Sequence, residues 1–395
     1  MFLHLLRADR KFLGPIMRVF EGAAPGRHLY VAVGPVEDGF QLPGGVIHAE
    51  EPAAVSGVVS GRSDWEGVVL NGLSFATGGM CLDRLPRAVS VAWYVWGYEA
   101  YGYFDALKAR LLLPETLRVQ GILEGHRSRP MPRTVRRLRR SERNARKLLR
   151  RLDYCVTSLR EEHELLVGAG LPTSIQYHWG LVGSLNDYVD EHEAAGAGDS
   201  FQLGNSASPW NNHLDAFSLL CGPDRNARRV VVPLGYGDPR YRDMVAAAGR
   251  EVLGKRFEPL LDFIPPDQYR AVIRTCGHVI MNHLRQQALG NIYDALWRGA
   301  RVYLNDTTAY RGLRRVGFDV RLISEELAGL EQKPLRAATP EEAARHRGLL
   351  QEHYAFERVV EATTDLLSRL SAGSGRTQSS ISEGRRSGRG GGEDG

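Results

Sequence analysis

Between Phe201 and Leu304 short apolar runs alternate with amphipathic stretches, and this rhythm constrains the fold more than any other feature of the chain. Phe201–Leu203, Val230–Val232, His278–Met281 and Val302–Leu304 read as buried strands, because they are apolar and bounded by turn-forming residues. Helical spacing fills the intervals. Asn211 or Asn212 can cap a helix carrying Leu214, Phe217 and Leu220. Further helices are expected around Tyr241–Leu253, Asp267–Thr275 and Ala288–Arg298, the last with Ile292, Ala295 and Leu296 on one face. Strand and helix in strict alternation predict a parallel sheet covered by helices, an α/β architecture.

The chain has 395 residues, too many for one ordinary core. Its amino-terminal part carries strand-like runs at Leu29–Val33, Gly67–Leu70, Ala88–Val95 and Tyr154–Thr157. Two Rossmann-like halves with a cleft between them are the simplest architecture. The expected division is a first domain over 1–187, a linker over 188–200 that includes Ala-Ala-Gly-Ala-Gly, a second domain over 201–335 and an amphipathic helix or helix pair over 336–370. Residues 371–395, rich in Gly, Ser and Arg, are expected to be a disordered tail.

Charge is unevenly spread. His126–Arg151 holds twelve Lys/Arg against one Glu, a net +11 within a chain of net +5, so the remainder carries −6. A basic patch on an acidic body implies a localised anionic partner. The segment lacks Gly, is rich in Arg and Leu, and predicts a helix over Thr134–Leu152. An anionic membrane surface is one partner, met by Arg136, Arg137, Arg139 and Arg140 while the interspersed leucines dip into the interface. Nucleic acid is the other, and the lack of interleaved aromatics counts against it; a solvated face is the plain alternative. The four cysteines lie far apart without metal-ligand spacing, which points to a reducing cytoplasm. The start of the chain does not have the order of a signal peptide, and Leu165–Asn186 is too polar to span a bilayer, so membrane contact is expected to be peripheral.

Three polar loops follow predicted strands. Gly204-Asn205-Ser206 precedes Asn212 and His213 at a helix start, where free N–H groups and the helix dipole suit a phosphate. Gly235-Tyr236-Gly237 offers a ring to stack on a base or sugar. His283, Arg285, Gln286, Gln287, Gly290 and Asn291 could hold a diphosphate or ribose without a metal. Ordinary strand-to-helix turns and a solvated cap remain the alternative reading of each. In the first half, Trp96, Gly97, Glu99 and Tyr101 fall at the end of a strand-like run, and Asn71-Gly72 ends another. Aromatic faces suit a sugar ring, and a carboxylate among them could accept a proton; core packing with a rim carboxylate is the alternative. No predicted strand leads into G-x-G-x-x-G or a P-loop, and Asp-x-Asp is absent. His278 and His283 read as a structural residue and a cleft donor, not as a zinc pair, and no metal ligand is assigned.

The runs LGNSASPWNNHLDAF, VVVPLGYGDPRYRDMV and RQQALGNIYDALWRGARVYLN, in that order, resemble the 4-acetamido-4,6-dideoxygalactose transferases, the TDP-Fuc4NAc:lipid II Fuc4NAc transferases of enterobacterial common antigen synthesis. WYVWGYEAYGY is similar to that family's Trp-Gly-x-Asp-x-Tyr segment and VVLNGLS to its His-Gly strand end; the family's Asp is Glu99 here and its His is Asn71. The resemblance covers roughly Val68–Asp319. It implies a GT-B-type fold, two Rossmann-like domains facing a central cleft. It further implies an inverting, metal-independent glycosyltransferase, peripheral on the cytoplasmic face of the bacterial inner membrane. The donor would be a dTDP-sugar carrying a 4-acetamido-4,6-dideoxyhexose, the acceptor a polyprenyl-diphosphate-linked saccharide, and Glu99 the general base. A sugar-nucleotide epimerase of two-Rossmann shape and a nucleic-acid-binding protein using the Arg-rich helix are the competing expectations.

Overall fold

The computed structural model describes residues 1–37, 39–108, 111–124, 132–192, 197–222, 225, 227–328 and 334–386. The chain divides into two compact units, neither continuous in sequence. The first comprises 1–104, 130–184 and 356–395, and the second comprises 105–129 and 185–355.

The first unit is a parallel sheet of seven strands: β1 (Phe2–Arg7), β2 (His28–Val33), β3 (Val46–Ala49), β4 (Gly67–Asn71), β5 (Val91–Tyr94), β6 (Tyr154–Thr157) and β7 (Gln176–Trp179). Their spatial order is β3-β2-β1-β4-β5-β6-β7. One face buries Phe2, Leu6, Val69, Ala92 and Tyr94 against Ile16 and Phe20 of the helix Leu13–Ala23 and against Leu366, Leu367 and Leu370 near the carboxyl end of the chain. Those leucines belong to the helix Phe356–Arg386. It runs through Ser371, where the sequence predicts disorder. Ser374 anchors it, donating to the Glu66 carbonyl (2.9 Å) and accepting the Ser90 N–H (3.1 Å). Residues 387–395 of the predicted tail lie outside the described residues.

The second unit is a parallel sheet of six strands: β8 (Ser200–Leu203), β9 (Val230–Pro233), β10 (Phe257–Leu260), β11 (Cys276–Met281), β12 (Arg301–Leu304) and β13 (Arg321–Leu322). The order is β10-β9-β8-β11-β12-β13. Phe201, Leu203, Val230, Val232 and Ile280 pack on Phe217, Leu220, Tyr241 and Val245. The sequence assigns Asp105–Glu124 to the first domain, whereas here it joins the second unit. The reason is a capping carboxylate supplied from outside the segment. Asp215 accepts the N–H groups of Glu115 (2.8 Å) and Thr116 (3.0 Å) at the start of the helix Pro114–Glu124, and the Thr116 hydroxyl as well (2.6 Å).

The basic segment forms a helix over Pro132–Leu149. Its inner face, with Asn144, Ala145 and Leu148 buried, lies on the glycine pair of the helix Phe75–Cys81, and Arg140, Arg143, Arg146, Lys147 and Arg150 are exposed. The side chains of Arg136, Arg137 and Arg139 lie outside the described residues. A Cβ on Gly79 would overlap the Asn144 carbonyl oxygen, and backbone cannot yield as a side-chain tip can. Gly79→Ala therefore sets about 1 kcal/mol of helix propensity gained against overpacking of about 3 kcal/mol. The expected result is a net fall of about 2 kcal/mol in the urea unfolding free energy; an unchanged midpoint would show that the two helices part easily. Among the described residues no helix is long and apolar enough to cross a membrane.

Candidate active site

In an open parallel sheet, ligands gather beyond the carboxyl ends of the strands where the strand order reverses. In the second unit the reversal falls between β8 and β11. The two loops leaving these strands are Gly204–Ser208 and Asn282–Ala288, so two of the three polar loops singled out from the sequence stand at the reversal, and the third, Gly235-Tyr236-Gly237, leaves the neighbouring β9.

Asn211 organises both loops. It is fully buried, and its Oδ1 accepts from the Asn205 N–H (3.0 Å) and from His283 Nε2 (2.9 Å). Its Nδ2 donates to the Ser206 carbonyl (3.1 Å), the Ser206 hydroxyl (3.3 Å) and the Ser208 carbonyl (3.2 Å). The Asn205 N–H fixes the orientation of the Asn211 amide, and the amide in turn makes His283 Nε2 the donor. Gly204 turns the chain at φ +67°, and a Cβ there would stand 2.7 Å from both Asn211 Oδ1 and His213 Nε2. No residue with a side chain fits that turn.

Asn212 has a different part from the one the sequence proposes. It takes a left-handed conformation (φ 48°), and its side chain joins three segments of the second unit. Oδ1 accepts the Leu113 N–H (2.8 Å), while Nδ2 donates to the carbonyls of Asn282 (3.1 Å) and Leu111 (3.3 Å). His213 and His283 are both held neutral. Burial pushes each pKa down to about 3, with the Arg285 charge adding to the effect at His283. His213 Nδ1 meets the Tyr241 hydroxyl (3.3 Å), but its Nε2 and the Asn205 Oδ1 are buried without a hydrogen-bond partner among the described residues. Unmet polar atoms of this kind cost about 1–3 kcal/mol each, which marks a place where a ligand or water supplies the partner.

Arg285 is buried, lies 4.3 Å over the Trp210 ring and donates to the Gln286 carbonyl (3.1 Å). Gln286 and Gln287 are half-buried, and Gln287 Oε1 has no hydrogen-bond partner among the described residues. Ala288 then adopts φ 58° and caps the helix Leu289–Arg298, whose first turn contains Gly290 and Asn291. A left-handed alanine costs about 1–3 kcal/mol, and such strain gathers at functional loops.

The glycines at 235, 237 and 290 stand against other parts of the protein. Cβ atoms there would meet the Asp262 carbonyl at 2.7 Å, the Ala207 carbonyl at 2.5 Å and the Tyr188 ring. Tyr236 is 63% exposed, its hydroxyl accepting from Asn205 Nδ2 (3.2 Å). Phe263, 82% exposed on the loop after β10, is a second ring at this end of the sheet that the sequence reading missed. Its signal was the exposed turn Asp262-Phe263-Ile264-Pro265-Pro266.

In the first unit the reversal falls between β1 and β4. Asn71 ends β4 fully buried, with neither amide atom partnered among the described residues. The Trp96 ring covers Gly72, where a Cβ would stand 2.9 Å from it; the indole Nε1 is likewise buried and unpartnered. Tyr98 donates to the Gly72 carbonyl, and the Arg7 guanidinium lies 5.5 Å from the Tyr98 ring centre. Gly97 (φ +100°) turns the chain into the short helix Tyr98–Tyr101. Glu99 is only 4% exposed, and its Oε1 accepts the Trp96 N–H (2.7 Å) and the Trp93 indole N–H (3.2 Å). Tyr101 is turned inward, towards Glu162 Oε2 at 3.4 Å. Among the described residues no His, Cys, Asp and Glu cluster is arranged to hold a metal ion.

Two parallel sheets that each reverse after their first strand define the GT-B-type architecture, α/β with two Rossmann-like domains. Several solved structures share this fold over nearly their whole length. Anabaena HepE, in a structure holding UDP and glucose, matches with a TM-score of 0.60 and 14% identity over 93% of this chain and 100% of its own. The sucrose-phosphate synthase of Thermosynechococcus elongatus matches with a TM-score of 0.62 and 10% identity over 94% and 99%. AviGT4, a glycosyltransferase of avilamycin A biosynthesis, matches with a TM-score of 0.52 and 12% identity over 94% and 98%. No protein-family model matches the chain.

Proposed function

We propose that the protein is a glycosyltransferase whose second unit binds a sugar nucleotide and whose first unit binds the acceptor. The observation that carries this reading is the pair of loops at the second sheet's reversal. Asn211 locks them together, and they present Arg285, a helix start and the unmatched Asn205 Oδ1 and His213 Nε2. These groups suit a diphosphate and a sugar hydroxyl, with Tyr236 and Phe263 as exposed rings for a base. HepE, of the same fold, is known with UDP and glucose.

The finer reading rests on the sequence resemblance. A dTDP-linked 4-acetamido-4,6-dideoxyhexose is the donor and a polyprenyl-diphosphate-linked saccharide the acceptor, in synthesis of a cell-surface polysaccharide such as enterobacterial common antigen. Transfer is inverting and metal-independent, Arg285 and helix-start N–H groups taking up the leaving-group charge. The exposed arginines of Pro132–Leu149 face the anionic cytoplasmic surface of the inner membrane. Beside them an open groove of about 450 Å³ mixes Arg146 and Arg150 with Leu149, Leu152 and Pro172, as an interface of charged head groups and chains requires.

Thermal unfolding with dTDP, UDP, GDP or NAD, each with and without EDTA, tests the donor site. A ligand at a hundredfold excess over its Kd adds about 2.7 kcal/mol. The expected outcome is a rise in Tm of several degrees with dTDP, unchanged by EDTA. A preference for UDP or GDP would keep the enzyme class and discard the dTDP donor. Indifference to all four would overturn the sugar-nucleotide reading.

A further inference from the structure

The glycosyl-transfer reading requires a base for the acceptor hydroxyl, and the first unit offers two carboxylates at the carboxyl ends of its central strands. Glu99 is the one the sequence resemblance singles out. Its burial and its two hydrogen bonds, from the Trp96 backbone and the Trp93 indole, make it a brace that fixes the loop after β5. A general base must come within about 2.6–3.2 Å of the proton it takes. Both bonds end on Oε1, and Oε2 is buried as well, so the carboxylate presents neither oxygen at the surface.

The other carboxylate is Asp9. It leaves β1, one of the two strands that flank the reversal of the first sheet, and it is half-buried. Oδ1 accepts the Lys11 N–H (2.9 Å), and the main-chain carbonyl accepts the N–H groups of Phe12 (3.2 Å) and Leu13 (3.1 Å). The residue is therefore held in place while its carboxylate stays accessible. The charges of both Asp9 and Glu99 act on the Tyr98 phenol, whose pKa is raised first of all by burial. Arg7, which ends β1, lies 5.5 Å from the Tyr98 ring centre, so the ends of β1 and β5 meet at Tyr98, which itself bonds the Gly72 carbonyl of the loop after β4. Unmatched hydrogen-bonding groups at the same strand ends point independently to a ligand. They are both amide atoms of the fully buried Asn71, whose Cα pairs with Leu6 of β1, and the indole N–H of Trp96. Hydroxyl groups can donate to one and accept from the others, so the ligand they fit is a saccharide.

We propose that Asp9 takes the proton of the acceptor hydroxyl and that Glu99 is a positioning residue that holds Trp96 for the acceptor sugar. As the proton passes to the Asp9 carboxylate, the hydroxyl oxygen forms a bond to the anomeric carbon of the sugar nucleotide. The bond from that carbon to the diphosphate oxygen breaks, its electron pair leaving with the diphosphate.

The test uses the full chain with the dTDP-sugar and the polyprenyl-diphosphate-linked saccharide, comparing wild type with Asp9→Asn, Asp9→Glu and Glu99→Gln. Asp9→Asn should lower kcat about 10²–10⁴-fold, leave the donor KM unchanged and remove the acid limb of the pH–rate profile. Asp9→Glu should recover part of the rate. Glu99→Gln should keep the acid limb and act mainly on the acceptor KM. Turnover of Asp9→Asn within threefold of wild type would overturn the proposal. So would loss of the acid limb in Glu99→Gln alone. Binding of dTDP, read by thermal shift, separates the two levels: a retained shift leaves the transferase reading standing even where Asp9 falls. A wild type that does not respond to dTDP and transfers nothing overturns both.

Discussion

Lowering the pH from 7 to 5 should remove about 4 kcal/mol from the stability of the second unit. His213 and His283 titrate near pH 6.5 when unfolded, and burial brings both to about 3 in the folded protein. The folded state then binds fewer protons than the unfolded one at every pH between those values. Stability is therefore complete above about pH 6.5 and falls as the pH drops. Each histidine loses about 1.4 kcal/mol per pH unit well below 6.5, or about 2 kcal/mol by pH 5. His346, whose Nε2 accepts the Asp319 N–H (3.0 Å) and whose pKa burial also lowers, acts in the same direction. Urea titrations at pH 7 and pH 5 measure the loss. In the double variant His213→Gln, His283→Gln the dependence on pH should flatten, whatever its absolute stability. Equal midpoints at the two pH values in the wild type would mean that both rings take up a proton in the folded protein as readily as in the unfolded chain.

Replacing Asn211 by alanine should do comparable damage at neutral pH. The side chain is buried, and its loss strands the Asn205 N–H, His283 Nε2 and the Ser206 carbonyl. At about 1–3 kcal/mol for each buried group left unmet, the loss is at least about 3 kcal/mol, or roughly 10 °C in Tm. Ser206→Ala removes one 3.3 Å bond and should cost no more than about 1 kcal/mol. The Asn211 variant should also lose its thermal response to dTDP, because both nucleotide loops depend on one amide. Wild-type stability together with an intact dTDP response in that variant would show that Asn211 does not couple the loops.

The second sheet was legible because its inner strands are continuous apolar runs, the mark of strands covered on both faces. β10 escaped notice because Phe257-Glu258-Pro259-Leu260 carries a charge and a proline. Both are tolerable on an edge strand, where Glu258 pairs with Arg229 at 2.9 Å. β1 hid for another reason: His4 interrupts its apolar run, and its Nε2 meets Nδ1 of His28 of β2 at 2.8 Å, a partner that no local pattern reveals. Missing β1 concealed Asp9. The polar loops at the strand ends were readable from their composition, but Asn211 looked like an ordinary helix cap, since its partners lie on two loops about 70 residues apart.

The helix Phe356–Arg386 has a consequence for synthesis on the ribosome. Leu366, Leu367 and Leu370 complete the core of the first unit, yet they emerge after every strand of the second. The unit begun first is thus finished last. Until those leucines arrive, Phe2, Leu6 and Val69 lack part of their cover, and the nascent chain carries an apolar surface open to chaperones or to aggregation while the second sheet is already able to fold.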